Sequence, residues 1–244
     1  MTESENDFMR MRKKKHSAER LDACGKYLLG DESLMEDPAG IIGMAGAPVF
    51  LEIGAGKGGF ACGMAQRHSD TAYFAMEKVT DCVVLAAEKA NSGEYGELSN
   101  LRFVIDTADN LMRIFGRGTV DTVFLNFSDP WPKKGYAKRR LTHRKYLAVY
   151  MNLLKDGGTL RFKTDNVGLF DFSLEEIASV DLAPYLVTRD LHASPYAEGN
   201  VMTEYEKGFV AEGLPIHKLC VKKPEGYIPH YEEPKKEKTT EENA

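Results

Sequence analysis

The chain has 244 residues, 43% of them hydrophobic, and a formal net charge of -5 at pH 7. These values are ordinary for one large globular domain. The sequence has no run of eighteen apolar residues and begins with fifteen polar-rich ones, so we expect a cytoplasmic protein with neither a membrane span nor a secretory signal. The four cysteines are widely separated and the six histidines show no metal-ligand spacing, which argues against disulfides and a metal site.

Charge divides the chain into three parts. Residues 1–30 are predicted to be a flexible basic segment, residues 31–231 a single domain, and residues 232–244 a disordered charged tail. The basic cluster from Arg10 to Lys15 suits contact with phosphates. A second basic run, from Lys133 to Lys145, contains no acidic residue. A local basic surface is therefore expected on a chain that is acidic as a whole.

Strand and helix patterns alternate along the domain. Period-2 and buried apolar runs predict strands over 49–53, 72–76, 101–105, 122–127 and 159–163, with a turn at 156–158. Helical patterns lie between them, over 60–68, 81–90, 108–115, 142–154 and 169–179. Two further strands, around 185–191 and 216–221, should close one edge. This order predicts an α/β fold with a doubly wound, mostly parallel sheet.

A glycine-rich loop, Gly54-Ala55-Gly56-Lys57-Gly58-Gly59, follows the first strand and precedes a helix. Such a loop lets a backbone approach a nucleotide, and its spacing also fits a dinucleotide site. Glu77, at the end of the second strand, would hold a ribose in either case. Glu52 lies inside the strand, where it would repel a pyrophosphate but attract a cationic sulfonium cofactor with its ammonium group. S-Adenosylmethionine is therefore favoured over NAD, and the alternative for Glu52 is a solvated acid at a strand end.

The adenine of such a cofactor should lie beyond the third strand. Asp106, Thr107 and Asp109 follow that strand, and each is a candidate for the adenine contact. Asp109 is equally suited to a helix cap or to the first turn of a helix.

The segment Asn126-Phe127-Ser128-Asp129-Pro130-Trp131-Pro132-Lys133-Lys134 follows a buried strand that begins near Val120. Its position at a strand's carboxyl end, where ligands bind in open α/β sheets, indicates a functional role for Asp129. The two prolines stiffen the loop. Trp131 is either a stacking surface for a base or a packed aromatic that fixes the loop. Asp165 ends another strand, and it is either a substrate contact or the N-cap of the next helix.

Four segments together resemble the tRNA (guanine-N7-)-methyltransferase family, over about residues 48–222. They are Glu-Ile-Gly-x-Gly-x-Gly from Glu52, the Ser-Asp-Pro-Trp-Pro-Lys-Lys stretch with Lys-Arg-Arg-Leu, Phe-Lys-Thr-Asp-Asn from Phe162, and Met-Thr-Glu-Tyr-Glu-Lys from Met202. The resemblance implies a seven-stranded sheet of the class I methyltransferase (Rossmann-like) type. It also implies methylation of guanine at position 46 in the tRNA variable loop, with tRNA as the partner of a monomer or homodimer.

The resemblance also implies roles for individual residues. The implied cofactor residues are Glu52, Gly54, Gly56, Gly58, Glu77, Asp106, Thr107 and Asp129, of which Asp129 is also catalytic. The implied substrate contacts are Lys133, Asp165, Thr203, Glu204, Tyr205 and Glu206. The implied RNA contacts are Gly135, Tyr136, Ala137, Lys138, Arg139 and Arg140.

Two positions depart from the family's pattern. Many members have an acid at the adenine position, where this chain has Thr107 preceded by Asp106. Many also read Lys-Lys-Arg-His where this chain has Lys133-Lys134-Gly135-Tyr136. Part of the cationic contact is therefore expected to shift towards Lys138 and the two arginines that follow it.

Guanine N7 has a free lone pair and carries no proton, so its methylation needs no base. Asp129 is instead expected to orient the guanine and to stabilise the positive charge that forms on it. A methyltransferase acting on an exocyclic amine is the first alternative, because Asp-Pro-Trp resembles the Asp-Pro-Pro-Tyr loops of such enzymes. A non-catalytic RNA-binding module is the second alternative. A dehydrogenase is disfavoured by Glu52 and by the basic loop.

Overall fold

The computed structural model describes residues 16–30 and 34–231, which form one seven-stranded sheet with helices on both faces. The strands are β1 Val49–Ile53, β2 Ala72–Met76, β3 Leu101–Val104, β4 Val120–Asn126, β5 Leu154–Thr164, β6 Pro184–Thr188 and β7 His217–Lys222. The helices are α1 Ser17–Ala23, α2 Pro38–Ile41, α3 Gly59–Arg67, α4 Thr80–Asn91, α5 Leu111–Ile114, α6 Arg144–Leu153, α7 Val167–Ala178 and α8 Glu204–Ala211. Short 3₁₀ turns lie at Gly25–Tyr27, Ala108–Asn110, Lys134–Arg139 and Pro195–Ala197.

The strand order β3-β2-β1-β4-β5-β7-β6 confirms the predicted doubly wound fold. Strands β1 to β5 pair in parallel, and β7 runs antiparallel to both β5 and β6. The chain moves outwards in one direction from β1 and in the other from β4. Because the connections diverge there, a crevice opens at the carboxyl ends of β1 and β4.

Two apolar layers enclose the sheet. Helices α6 and α7 pack on one face, where Leu147 and Phe170 are fully buried with Leu125 of β4. Helices α3 and α4 pack on the other face, where Ala61 and Val84 meet the opposite sides of the same strands. All five residues of β2 are buried, which explains why that strand reads as a continuous apolar run.

The predicted turn at 156–158 lies within β5 itself. The register between β4 and β5 shifts there, from Val120 opposite Leu154 to Thr122 opposite Thr159. Gly157 takes a positive φ of 79°, and the backbone of residues 157 and 158 exchanges hydrogen bonds with Lys223 beyond β7. The ladder therefore accommodates the extra residues as an irregularity instead of ending at them.

The prediction that residues 1–30 form a flexible segment is wrong for residues 16–30, because these residues pack on the domain. Helix α1 lies on α4, and the guanidinium of Arg20 makes two 2.6 Å hydrogen bonds to the Glu88 carboxylate. Leu21 and Tyr27 are buried, and the Leu29 amide donates to the Phe103 carbonyl at 2.9 Å. The folded domain thus starts before residue 31. The cluster from Arg10 to Lys15 and the tail 232–244 lie outside the described residues.

No helix within residues 16–30 and 34–231 is long and apolar enough to span a bilayer.

Candidate active site at the carboxyl edge of the sheet

The glycine loop wraps around the carboxylate of Glu77 at the carboxyl end of β2. The amides of Gly56 and Val79 donate to its two oxygens at 3.0 and 2.9 Å. Gly58 has φ 74°, and a Cβ at this position would lie 2.6 Å from the Cβ of Ala86. Only glycine therefore allows the loop to approach α4 this closely. Glu77 is fixed at the edge of the crevice, next to the loop as predicted.

Glu52 is buried at the carboxyl end of β1, so the alternative of a solvated strand-end acid is wrong. Its carboxylate accepts from the Asn126 amide at 3.0 Å, and the Tyr73 hydroxyl lies at 3.5 Å. Burial raises the pKa of Glu52 to about 7, while the Asn126 hydrogen bond and the charge of Lys163 oppose the rise. A cation bound beside this acid would favour its ionised form.

Of the three candidates for the adenine contact, two side chains are already engaged. The Asp106 carboxylate accepts from the Thr107 amide at 2.6 Å and from the Asn110 side chain at 2.7 Å, which closes the 3₁₀ turn. Asp109 faces α6, where it accepts from the Tyr146 hydroxyl at 3.0 Å and from Lys145 at 3.2 Å. Thr107 remains exposed at the crevice.

Two apolar residues at this edge were not singled out from the sequence. Ile105 follows β3 and is 42% exposed, and Val79 precedes α4 and is 36% exposed. Both flank the carboxyl ends of β2 and β3, where flat apolar surface suits the faces of an adenine. In the sequence, exposed apolar residues such as these look the same as apolar residues of the core, so no sequence signal marks them as part of a binding surface.

The loop that carries Asp129 is held in a strained shape. Phe127 and Trp131 have positive φ values of 50° and 41°, which bulky residues rarely adopt. The guanidinium of Arg140 donates to the carbonyls of Pro130 and Trp131, each at 3.0 Å. The Asp129 side chain is left exposed at the top of this clamped loop.

The Trp131 ring has a packing role. It meets Tyr136 edge-on at 5.9 Å between centroids, and the guanidinium of Arg139 lies 4.8 Å from its centre. Arg140 stacks on Phe172 at 4.3 Å while it clamps the loop. Of the two ways to explain Trp131, the structure therefore favours the packed aromatic.

The predicted RNA contacts lie on the 3₁₀ turn that follows. Lys133, Lys134, Gly135 and Lys138 are exposed, and Ala137 is half-buried. Arg140 supports the loop through its two hydrogen bonds, so the exposed charge of this turn comes from Arg139 and the lysines.

Helix α8 begins with a capping box, which changes the roles expected for Thr203 and Glu206. The Thr203 hydroxyl accepts from the Glu206 amide at 2.9 Å, and the Glu206 carboxylate accepts from the Thr203 amide at 3.3 Å. Glu206 is fully buried, with the Lys163 ammonium at 2.6 Å and the Asn200 side chain at 2.7 Å. In this arrangement these two side chains anchor α8.

The outward residues of this segment lie over the crevice. Glu204 pairs with Lys89 of α4. Burial raises the pKa of Tyr205, and the charges of Cys82, Glu204, Asp129 and Glu77 act in the same direction. Its hydroxyl therefore lies within the electrostatic reach of Asp129 and Glu77, two of the predicted cofactor acids. Tyr205 is 49% exposed.

One turn further along α8, Phe209 stacks on Phe127 with 5.8 Å between ring centroids. Helix α8 thus packs directly on the Asp129 loop.

Asp165 is not the N-cap of α7. Asn166 takes that position, and its side chain accepts from the Leu169 amide at 2.8 Å. Asp165 is half-buried at the carboxyl end of β5, and burial raises the pKa of its carboxyl group, with His217 acting in the opposite direction. Its carboxylate is therefore not used for capping.

Comparison with known proteins decides the family. A family described as "Putative methyltransferase" matches residues 46–219. The tRNA (guanine-N(7)-)-methyltransferase of Halalkalibacterium halodurans is 41% identical over 172 residues, which cover 70% of this chain and 76% of that protein. The protein of the same name from Listeria monocytogenes is 43% identical over 175 residues, covering 72% and 80%. The chain belongs to the tRNA (guanine-N7-)-methyltransferase family.

Membership of this methyltransferase family confirms S-adenosylmethionine as the cofactor. Solved structures support the fold. The 16S rRNA methyltransferase KamB superposes with a TM-score of 0.58 at 12% identity, over 80% of this chain and 98% of that one. An antibiotic-related methyltransferase gives 0.54 at 20% identity, over 75% and 90%.

The raised pKa of Glu52 predicts a pH-dependent stability. The folded state binds the Glu52 proton more tightly than the unfolded state does. The resulting contribution to stability is complete below the ordinary pKa of 4.5, and it is lost as the pH rises through about 7. Glu52→Gln is neutral at every pH and keeps an oxygen for Asn126. We expect urea denaturation to find the variant more stable than wild type at pH 8, by up to a few kcal/mol, with the difference shrinking towards pH 5. The same substitution at the exposed Glu225 is the control. A constant difference from pH 5 to 8 would contradict the assignment.

The buried pair of Lys163 and Glu206 predicts a large stability effect. Lys163→Met leaves the Glu206 carboxylate buried without its cation, so we expect a loss of about 3–5 kcal/mol in unfolding free energy. Lys155→Met breaks a partly exposed pair with Asp121 and should cost about 0–1 kcal/mol. Adding Glu206→Leu to Lys163→Met should recover part of the loss, because it removes the unpaired charge. Equal effects of the two lysine substitutions would show that the buried pair does not anchor α8.

Proposed function

We propose that the protein transfers the methyl group of S-adenosylmethionine to N7 of guanine in tRNA, at position 46 of the variable loop. The observation that carries the proposal is the exposed carboxylate of Asp129 on a clamped, strained loop, beside Tyr205 and Glu77. The 41–43% identity to tRNA (guanine-N(7)-)-methyltransferases supports the substrate, and no part of the geometry selects position 46.

The residues at the carboxyl ends of β1 and β2 would hold the cofactor. Glu52 would be ionised by the cofactor's ammonium and sulfonium charges, which offset the cost of its burial. The Glu77 carboxylate would accept hydrogen bonds from the ribose hydroxyls. Thr107 and the apolar surface of Ile105 and Val79 would meet the adenine.

The transfer itself breaks the bond between sulfur and the methyl carbon and forms a bond between that carbon and N7. The N7 lone pair supplies the electrons, and the sulfur leaves as a neutral thioether. Positive charge moves onto the guanine, where the carboxylate of Asp129 would stabilise it and orient N1–H and the amino group. Asp165 would grip the same base from the end of β5.

The basic turn would guide the RNA. The exposed side chains of Lys133, Lys134 and Lys138 lie next to Asp129 in sequence and are suited to phosphate contacts, which position RNA without reading its sequence. Arg140 would act indirectly, because its donors hold the carbonyls of Pro130 and Trp131.

Methylation of an exocyclic amine is the less favoured function. The aromatic residue of the Asp-Pro-Trp loop, Trp131, is packed by Arg139 and Tyr136. Amine transfer also requires an acceptor for a proton, which N7 transfer does not.

The product assay tests the proposed reaction. Labelled S-adenosylmethionine and an unmodified tRNA transcript should yield 7-methylguanosine, and a transcript with adenine at position 46 should yield none. Asp129→Ala should lower turnover by about 10²–10³ with tRNA affinity largely kept, since it removes a preorganised charge. Asp22→Ala, at an exposed position on α1, is the control. Recovery of 6-methyladenosine alone, or loss of tRNA binding in Asp129→Ala, would overturn the proposal.

Arg140→Lys tests the loop clamp. The substitution keeps the charge but removes the planar fork that reaches two carbonyls, so the loop should lose its position. We expect kcat to fall about 10–100-fold with a small change in KM for tRNA. Lys134→Gln should instead raise KM for tRNA and leave kcat nearly unchanged, because it removes an exposed charge. An Arg140→Lys enzyme with the KM defect and normal kcat would make Arg140 an RNA contact.

A further inference from the structure

A cavity of about 150 Å³ lies away from the Asp129 loop, on the sheet face that also carries α3. The segment 198–201 covers it, tied down by Arg67, which donates to the Gly199 carbonyl at 2.9 Å. Lys163 holds the same segment through the Asn200 side chain and the Val201 carbonyl, each at 3.1 Å. The space therefore lies between α3, this segment and strands β4, β5 and β7.

Besides Lys163, whose ammonium pairs with Glu206, two cationic side chains on the strands line the cavity: Arg161 of β5 and Lys218 of β7. Arg161 pairs in register with Cys220, and Lys218 with Lys163, so the two cations are diagonal neighbours on one sheet face. Within the described residues neither forms an ion pair with a carboxylate. Burial lowers the pKa of Lys218, and the charge of Arg161 lowers it further.

The guanidinium of Arg161 also has unused hydrogen-bonding capacity. It lies 5.7 Å from the centre of the Phe124 ring. Its Nε–H is buried and finds no acceptor in the part of the chain that the structure describes. A buried donor without an acceptor costs about 1–3 kcal/mol.

This arrangement weakens the fold. Like charges on neighbouring strands repel each other, and partial burial strengthens the repulsion. Lys163 adds little, because Glu206 neutralises it. Glu198 lines the rim, but it is exposed and its charge is screened by solvent. Features that cost stability in this way are common at binding sites.

We propose that this cavity binds a phosphate group. The planar donors of Arg161 and the ammonium of Lys218 match the oxygens of a phosphate, and an anion would relieve their repulsion. Phe60, Met64 and Phe124 contribute apolar surface to the walls, which lowers the local dielectric constant and strengthens such an interaction. Asn126 forms the wall towards Glu52, to which its side chain donates, so the site is separate from the predicted cofactor acid.

The phosphate has two sources to distinguish, the backbone of the tRNA and a free phosphate or mononucleotide. Binding of inorganic phosphate does not depend on the proposed function, whereas the tRNA source rests on it. The experiments therefore separate failure of the site from failure of the methyltransferase proposal.

Thermal denaturation with inorganic phosphate tests the site. At constant ionic strength, replacing chloride by phosphate should raise the Tm of the wild type by about 2–4 °C. The rise should be absent in Arg161→Gln/Lys218→Gln and kept in Lys222→Gln, an exposed lysine on the same strand outside the cavity. In chloride the double variant should melt no lower than wild type, which verifies its fold. No phosphate-specific rise in the wild type, or an equal rise in the double variant, would overturn the proposal.

Titrations of tRNA at several salt concentrations identify the source. If the tRNA backbone supplies the phosphate, the double variant should weaken tRNA binding and reduce the slope of log K against log salt by about 0.7–0.9. If the phosphate is free, tRNA binding stays unchanged while the Tm rise is lost. Weaker S-adenosylmethionine binding in the double variant, with phosphate competing against the cofactor, would instead make the cavity part of the cofactor site and overturn the proposal.

Discussion

The site depends on the buried ion pair between the Lys163 ammonium and the Glu206 carboxylate. The Lys163 ammonium lies 2.6 Å from the Glu206 carboxylate in the first turn of α8, and its charge also acts on Glu52 at the end of β1. A buried ion pair adds little stability over a well-packed apolar pair, but losing one partner is costly. Lys163 therefore fixes where α8 starts, and through α8 it fixes where Tyr205 lies relative to the crevice. The Lys163 side chain thus interacts both with Glu52, a predicted cofactor residue, and with Glu206, which anchors the helix that carries Tyr205.

A second device holds the loop after β4. Positive φ values at Phe127 and Trp131 cost free energy, and such strain persists only where neighbouring contacts impose it. Arg140 supplies those contacts from beneath, and Phe209 of α8 packs on Phe127 from above. The loop and α8 consequently constrain each other. Asp129 is presented from a rigid support, as electrostatic stabilisation of a developing charge requires.

Much of the fold follows from the sequence, because the strands read as apolar runs of the right length and the helices alternate with them. The N-terminal helix was missed, since seven residues carry too weak a periodic signal to predict docking. The capping box of α8 is visible in the sequence as Thr-x-x-Glu from Thr203 to Glu206. The burial of Glu206 and the clamp formed by Arg140 depend on partners 43 and 10 residues away, respectively, which no local pattern identifies.

Charge is organised over short distances in this protein. A formal net charge of -5 describes the whole chain, but interactions at an exposed surface fade beyond about 10 Å at 0.1 M salt. The lysines of the turn after Asp129 would therefore act on a nearby phosphate with little interference from distant acids, as the proposed function requires. Asp129 itself is exposed, so water weakens its field. In the proposed reaction a bound base would cover this carboxylate, which would then lie in a drier environment of lower dielectric constant and stabilise positive charge more strongly. An exposed acid beside exposed lysines is thus compatible with a site that becomes effective only when RNA completes it.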